Sequence, residues 1–263
     1  HPSPLDLRGA LIHSCNPYFC YVFRSIVDQR KFSTFEESYN NWYRHLQSFG
    51  IGTKLGIDLY GEAKGILKSS DYYNRIYGKG GWKGSTIISL AIGQGELGVT
   101  PLQMANVMAI IANRGYYITP HVLKYVDSVG KVGPKFEKHF CSVDSRYFPI
   151  VVEGMADVVK SGTARVAQID SVEVCGKTGT AQNPHGKDHS IFFAFAPKDN
   201  PQIAIAVVVE NSGFGSQWAA PIASLMIERY LFPEREQRRQ YLEDRMLNAD
   251  LINQKQGDEP VSH

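Results

Sequence analysis

Lys177, Thr178, Gly179 and Thr180 bring an ammonium, two short hydroxyls and a glycine to the end of a strand-like run that starts near Val172. In Cys175-Gly176-Lys177-Thr178-Gly179-Thr180-Ala181 the two glycines flank the lysine, so a ligand can approach the backbone closely. Such donors suit a carboxylate and, at the same place, a developing oxyanion. Lys-Thr-Gly also recurs by chance as a turn after a strand, so its context has to decide. Far upstream lies Ser14-Cys15-Asn16, whose serine and asparagine read either as polar groups of a site or simply as helix caps.

The elements around these residues follow from caps and periodicity. Ser3-Pro4-Leu5-Asp6 predicts a helix that opens with Ser3 as cap and Pro4 at its first position and runs to about His13. Asn16 is then expected to cap a second helix whose first residue is Pro17 and whose buried stripe is Phe19, Val22, Phe23 and Ile26. Ser14 falls in the corner between the two. A third helix is expected from a capping box at Ser33-Thr34-Phe35-Glu36, with Phe35, Tyr39, Trp42, Leu46 and Phe49 on one face. Residues 55–84 read as long loops with one short strand at Ile57 to Tyr60.

Thr100-Pro101-Leu102-Gln103 caps a helix that ends at Gly115 and presents Leu102, Ala105, Ala109 and Ala112. Strands are expected over Tyr117 to Val126 and Lys135 to Val143, joined at Asp127-Ser128-Val129-Gly130, followed by a helix marked by Phe148, Val152, Met155 and Val159. Downstream of Lys177, two strands at Ser190 to Ala196 and Gln202 to Glu210 are joined by Lys198-Asp199-Asn200-Pro201. The sequence thus predicts three successive antiparallel strands. Ile203 to Val209 is apolar on both faces and is expected in the middle of a sheet covered by helices. A helix over Gln217 to Leu231 precedes a charged stretch expected to be a solvated helix or disordered.

Composition narrows the function classes. The 263 residues carry a net charge of +2 with Lys and Arg dispersed among Asp and Glu, which argues against nucleic acid as the main partner. A small or peptidic partner fits better. The longest apolar run, Ile203 to Val209, is far short of the ~20 residues of a membrane helix. Cys15, Cys20, Cys141 and Cys175 have no metal-ligand spacing and read as free thiols, and nothing implies a metal or a cofactor.

Ser14-Cys15-Asn16 and Lys177-Thr178-Gly179-Thr180 match two of the three signatures of the penicillin-recognising serine acyl-transferases, Ser-x-x-Lys, Ser-x-Asn and Lys-Thr-Gly. The flanks extend the match: Pro4-Leu5-Asp6-Leu7-Arg8, Gly93-Gln94-Gly95, Val99-Thr100-Pro101-Leu102-Gln103-Met104-Ala105 and Ser161-Gly162-Thr163-Ala164. Over roughly Pro2 to Leu231 the chain resembles the transpeptidase domain of class B penicillin-binding proteins, most of all the penicillin-binding protein 2 branch. The resemblance implies an α/β fold with an antiparallel sheet flanked by helices and an all-helical subdomain, N-terminally incomplete here. Its parts would be a helical subdomain at about 1–115, a sheet subdomain at about 116–231 and a charged tail at 232–263.

The resemblance also implies an activity: a D,D-transpeptidase that cross-links peptidoglycan stem peptides ending in D-Ala-D-Ala and is acylated by β-lactams. Ser14 would then pass protons to the leaving amine, Asn16 would bind the substrate amide, and Lys177 would orient Ser14 and strengthen the positive field. The Thr178 and Thr180 hydroxyls would take the terminal carboxylate beside Gly179, and the Thr180 N–H would serve the oxyanion. The parent would be anchored on the periplasmic side of the bacterial inner membrane by a helix outside this chain and partnered there by a glycosyltransferase. The nucleophilic serine of Ser-x-x-Lys is expected upstream of Ser14, so the chain alone is expected to be inactive. Here the only such spacing is Ser128-Val129-Gly130-Lys131, in an expected hairpin turn. Two rival readings share the motifs: a serine β-lactamase-type hydrolase and a non-catalytic module that recognises penicillin or peptide.

Overall fold

The computed structural model describes residues 4–124, 136–235 and 239–252. Its centre is a three-stranded antiparallel sheet in the order β3-β4-β5, formed by Cys175–Ala181, His189–Ala196 and Ile203–Val209. Lys177 pairs with Phe193, Thr178 with Phe192 and Thr180 with Ser190. On one face Phe192, Ala194 and Ala196 of β4 and Ile205 of β5 pack against Ala219, Ala223 and Ile227 of α7 (Ala219–Leu231). On the other, Cys175 and Phe195 meet Met108 and Ala112 of α5 (Pro101–Ala112) and Val152 and Met155 of α6 (Phe148–Lys160). Each face therefore buries an apolar layer, and β3 hangs its polar C-terminal half beyond it.

The expected order of the three strands holds, but Ile203–Val209 is covered by helices on both faces while pairing on one side only, with β4, among the described residues. Apolar content reports coverage of the faces, not the presence of a second neighbour. Tyr116–Ile118 (β1) and Lys138–Phe140 (β2) form a separate two-stranded ribbon in the register Tyr116 to Phe140. It is shorter than the two runs expected there, and Ser128-Val129-Gly130-Lys131 lies outside the described residues.

Upstream, α1 spans Leu7–Ile12 and α2 spans Asn16–Val27. Asp6, not Ser3, caps α1, its carboxylate accepting from Gly9 N at 2.7 Å. Asn16 is the first helical residue of α2 and Cys15 its cap, so the Asn16 side chain is not consumed in capping. The box of α3 (Phe35–Ser48) is one residue later than expected, Thr34 with Glu37. Its stripe does build a core: Tyr39 is fully buried against Trp82 and Tyr73, with Phe35 and Trp42 at the margin.

Ile57 to Tyr60 is not a strand. Tyr60 is fully exposed, and the Asp58 carboxylate instead accepts from the Val122 and Leu123 backbone at 2.8 Å. A helix absent from the sequence reading, α4 (Ser70–Tyr77), supplies Tyr73 to the aromatic core. The Thr100 capping box on α5 is present, but its buried residues are Gln103, Asn106, Met108, Ile110 and Ala112. Gln103 Nε2 donates to the carbonyls of Gly50, Thr53 and Lys64, so a polar side chain organises the loops there. Both α1, against α6, and α5, against β4 and β5, pack across the division proposed near residue 115.

The charged C-terminal stretch is folded where it is described. The helix α8 (Gln240–Leu247) inserts Leu242, and Glu228 of α7 is buried between Arg235 at 2.7 Å and Arg239 at 3.0 Å. Charge density had suggested a solvated segment; partnered charges and one apolar anchor dock it instead. All four cysteines are free, and no described helix is long and apolar enough to cross a membrane.

Candidate active site

Ser14 sits where α1 gives way to α2, and the turn is tight enough to hold it in the left-handed region at φ 51°. The Cys15 N–H reaches back to the Ala10 carbonyl at 2.9 Å, which closes the corner. Arg8 of α1 pairs with Asp157 of α6, and α6 in turn packs on β3. The corner and the strand thus meet through one helix, and Lys177 Nζ donates a hydrogen bond to Ser14 Oγ across 163 residues of chain. The same ammonium donates to the Thr178 carbonyl at 3.0 Å.

All six residues singled out from the sequence line one cavity of about 660 Å³: Ser14, Asn16, Lys177, Thr178, Gly179 and Thr180. Lys177 is the single charged side chain among its described lining residues. Burial alone lowers the Lys177 ammonium from the ordinary 10.5 to about 8, because a charge held in apolar surroundings loses hydration. The cavity therefore has a polar end with one titratable cation. Phe19, Leu97, Met104 and Met108 give the rest of the lining an apolar character.

Three parts of the wall were not singled out in the sequence. Thr163, between α6 and β3, places its Oγ1 2.7 Å from Thr178 Oγ1. Gly93 and Gln94 end the 3-10 turn Ile88–Ile92, with Gly93 left-handed at φ 73°. The loop through Phe214, Gly215 and Ser216 closes the third side, and Ser190 Oγ, on β4, holds it by donating to the Phe214 carbonyl at 2.8 Å. A Cβ at Gly215 would fall 2.3 Å from the Ile191 oxygen and 2.6 Å from the Gly179 oxygen, so only glycine lets this loop lie on β3 and β4. The first two parts sat inside quoted stretches; the third has no local signature, because it is created by long-range contact. Among the described residues no cluster of His, Cys, Asp or Glu could hold a metal ion.

A helix-flanked antiparallel sheet with Lys-Thr-Gly on an edge strand facing a Ser-x-Asn corner is the fold of the penicillin-binding protein transpeptidases. Comparison makes this specific: the model of the penicillin-binding protein transpeptidase domain matches residues 1–228, and the chain belongs to that family, among its class B members of the penicillin-binding protein 2 kind. It is 33% identical over 252 residues to the peptidoglycan D,D-transpeptidase MrdA of Acinetobacter baumannii, covering 88% of this chain and 35% of that protein. Crystallographic PBP2 of Pseudomonas aeruginosa superposes with a TM-score of 0.75 at 32% identity, over 90% of this chain and 50% of the other. A chain from a peptidoglycan synthase complex that coordinates polymerization and crosslinking matches at TM-score 0.71 and 28% identity, over 90% and 39%. The chain thus spans about a third of the length of the curated relative it matches.

Proposed function

We propose that this chain supplies the substrate cradle and proton relay of a peptidoglycan D,D-transpeptidase, acting with a nucleophilic serine carried on a segment outside these 263 residues. The observation that carries the reading is the Lys177 Nζ to Ser14 Oγ hydrogen bond inside a cavity that also takes in Asn16, Thr178 and Thr180. In this reading the serine attacks the penultimate D-Ala carbonyl of a stem peptide. The oxyanion that forms is stabilised by the Thr180 N–H and by the N–H of the serine itself. As the new C–O bond forms, the attacking serine's proton passes to the lysine of its own Ser-x-x-Lys on the same segment. Ser14, oriented by Lys177, hands its proton to the departing D-Ala amine as the C–N bond breaks and takes the one held by that lysine in exchange, leaving the acyl-enzyme.

The ligand's terminal carboxylate meets Lys177 and the hydroxyls of Thr178 and Thr180, while Asn16 holds the amide before the scissile bond. Among the described residues β3 pairs only with β4, so its outer edge is open to a peptide laid alongside. A β-lactam would be recognised in the same place through its carboxylate. No carboxylate side chain is among the described cavity residues, which favours acyl transfer to an amine over fast hydrolysis by a built-in general base. The same reading gives the parent a periplasmic site on the inner membrane and a glycosyltransferase partner.

Labelling with fluorescent penicillin tests it. The chain alone is expected to form no covalent adduct; joined to the nucleophile-bearing segment it is expected to be labelled. There, Lys177→Ala should slow acylation by about 10²-fold, the order of one lost electrostatic contributor. Labelling of the chain alone that is abolished by Ser14→Ala would overturn the relay assignment, and an unaltered Lys177→Ala rate would overturn the cradle.

A further inference from the structure

The connection between α6 and the 3-10 turn Arg165–Ala167 is held more firmly than a surface loop. The Gly162 N–H donates to the carbonyls of Asp157 and Val158, each at 3.1 Å, and the Ala164 N–H also reaches Val158 O at 3.1 Å. A Cβ at Gly162 would fall 2.8 Å from the Ile12 oxygen and 2.9 Å from the Val158 Cα, so the loop is wedged between the end of α1 and α6. Behind it Ala164 is fully buried. Gln168 Nε2 donates to the Val159 and Lys160 carbonyls at 3.0 and 2.7 Å, pinning the turn to the helix end. Thr163 projects from this wedge into the cavity, with its Oγ1 2.7 Å from that of Thr178.

We propose that Thr163 is a positioning residue that makes the cradle selective for a free carboxylate: it donates its hydroxyl hydrogen to Thr178 Oγ1 and so commits the Thr178 hydrogen to the ligand. The role rests on the cradle reading above. A hydroxyl carries one hydrogen and two lone pairs, so a pair of hydroxyls 2.7 Å apart has two directions, of which only one leaves the Thr178 hydrogen free. A carboxylate offers only acceptors and selects that direction. A terminal amide presents N–H donors as well, and a Thr178 hydroxyl that turns its hydrogen to the ligand meets them donor to donor. The donated hydrogen also polarises the Thr178 hydroxyl, strengthening its bond to an anion.

The wedge explains why Thr163 can do this: its backbone is fixed against both α1, which ends at the Ser14 corner, and α6, so the hydroxyl is aimed in advance. The experiment is saturation-transfer NMR on the 263-residue chain with N-acetyl-D-Ala-D-Ala as acid and as C-terminal amide. Wild type is expected to favour the acid. Thr163→Val, which keeps shape and removes the hydroxyl, should reduce the acid-to-amide preference about tenfold, the scale of a hydrogen bond to a charged group. Thr163→Ser should restore it. A role confined to packing would leave that ratio unmoved and weaken both ligands alike. An unchanged ratio in Thr163→Val, with its amide spectrum as dispersed as wild type's, overturns the role of Thr163 alone. A wild-type chain without preference for the acid overturns the cradle reading and this role with it.

Discussion

Burial leaves Lys177 with a proton affinity near 8 where an exposed lysine holds 10.5, and the difference has a sign that can be measured in two ways. The unfolded chain keeps this proton up to about 10.5 and the folded chain releases it near 8, so the unfolded state binds more protons between these values. Folding stability contributed by this group therefore rises as pH climbs from 8 to 10.5, and the full cost of the buried charge is present below 8. Lys177→Met is expected to raise the melting temperature at pH 7 by roughly 3 °C and to lose that advantage near pH 10.5, as followed by circular dichroism. Anion binding follows the opposite need: affinity for a carboxylate ligand should fall as pH passes about 8 and the ammonium is neutralised. A flat pH profile in both measurements would mean that the lysine is not desolvated. At this scale much was legible, because lysine, threonine and serine at fixed spacings carry their chemistry in the residue type. Asn16 was found for its amide but misread as a cap; the proline after it let Cys15 take that place and left the amide to the cavity.

At the scale of elements, the strand that carries the site is set by close packing on one side and by an added loop on the other. Gly176 lies against the Phe192 ring, where a Cβ would come within 2.4 Å, and Gly215 rests on the peptide of Gly179. Gly215→Ala pushes a methyl into two backbone oxygens that cannot rotate away. It is expected to cost about 2 kcal/mol or more in urea unfolding and to loosen the Phe214 wall. A variant as stable as wild type would show that the loop is not seated there.

The C-terminal clasp is a second element-scale device. Glu228 is buried with Arg235 and Arg239 as partners, and Arg239 Nη1 also donates to the Gln168 carbonyl at 3.1 Å. Glu228→Ala removes the buried carboxylate shared by the two guanidinium groups and should destabilise by about 3 kcal/mol, because the charge it balances is left without its carboxylate. Melting of the variant beside a chain ending after Pro233 separates the loss of the pair from the loss of α8. Equal stability of Glu228→Ala and wild type would show that the clasp is ornamental. Neither device was legible in advance. Caps, stripes and turn residues report local geometry, and they placed α3, α6 and the three strands well; Glu228 and Gly215 are explained only by residues far away in the chain. The α5 stripe failed for the related reason that this helix packs on several sides, so no single apolar face marks it.

At the scale of the molecule, the sheet has two open edges among the described residues, and they differ in chemistry. The β3 edge carries glycine, lysine and threonine and borders the cavity, where a short peptide can pair with it without burying an apolar surface. The β5 edge is Ile203-Ala204-Ile205-Ala206-Val207-Val208-Val209, with α5 and α7 over its faces and no proline or lysine within it to discourage pairing. The outward-facing backbone groups of this seven-residue strand have no strand partner among the described residues and form a template for another strand. The purified chain is therefore expected to self-associate through β5, or to take up there a strand from the segment proposed to carry the nucleophile. Sedimentation velocity with and without that segment would show it. Val208→Lys, which adds a charge on the edge strand at a position outside the core clusters, should shift the population towards monomer, and Val208→Ile should not. A chain that sediments as a monomer across micromolar concentrations, with the Val208→Lys variant behaving identically, would mean that the β5 edge is not a template for another strand.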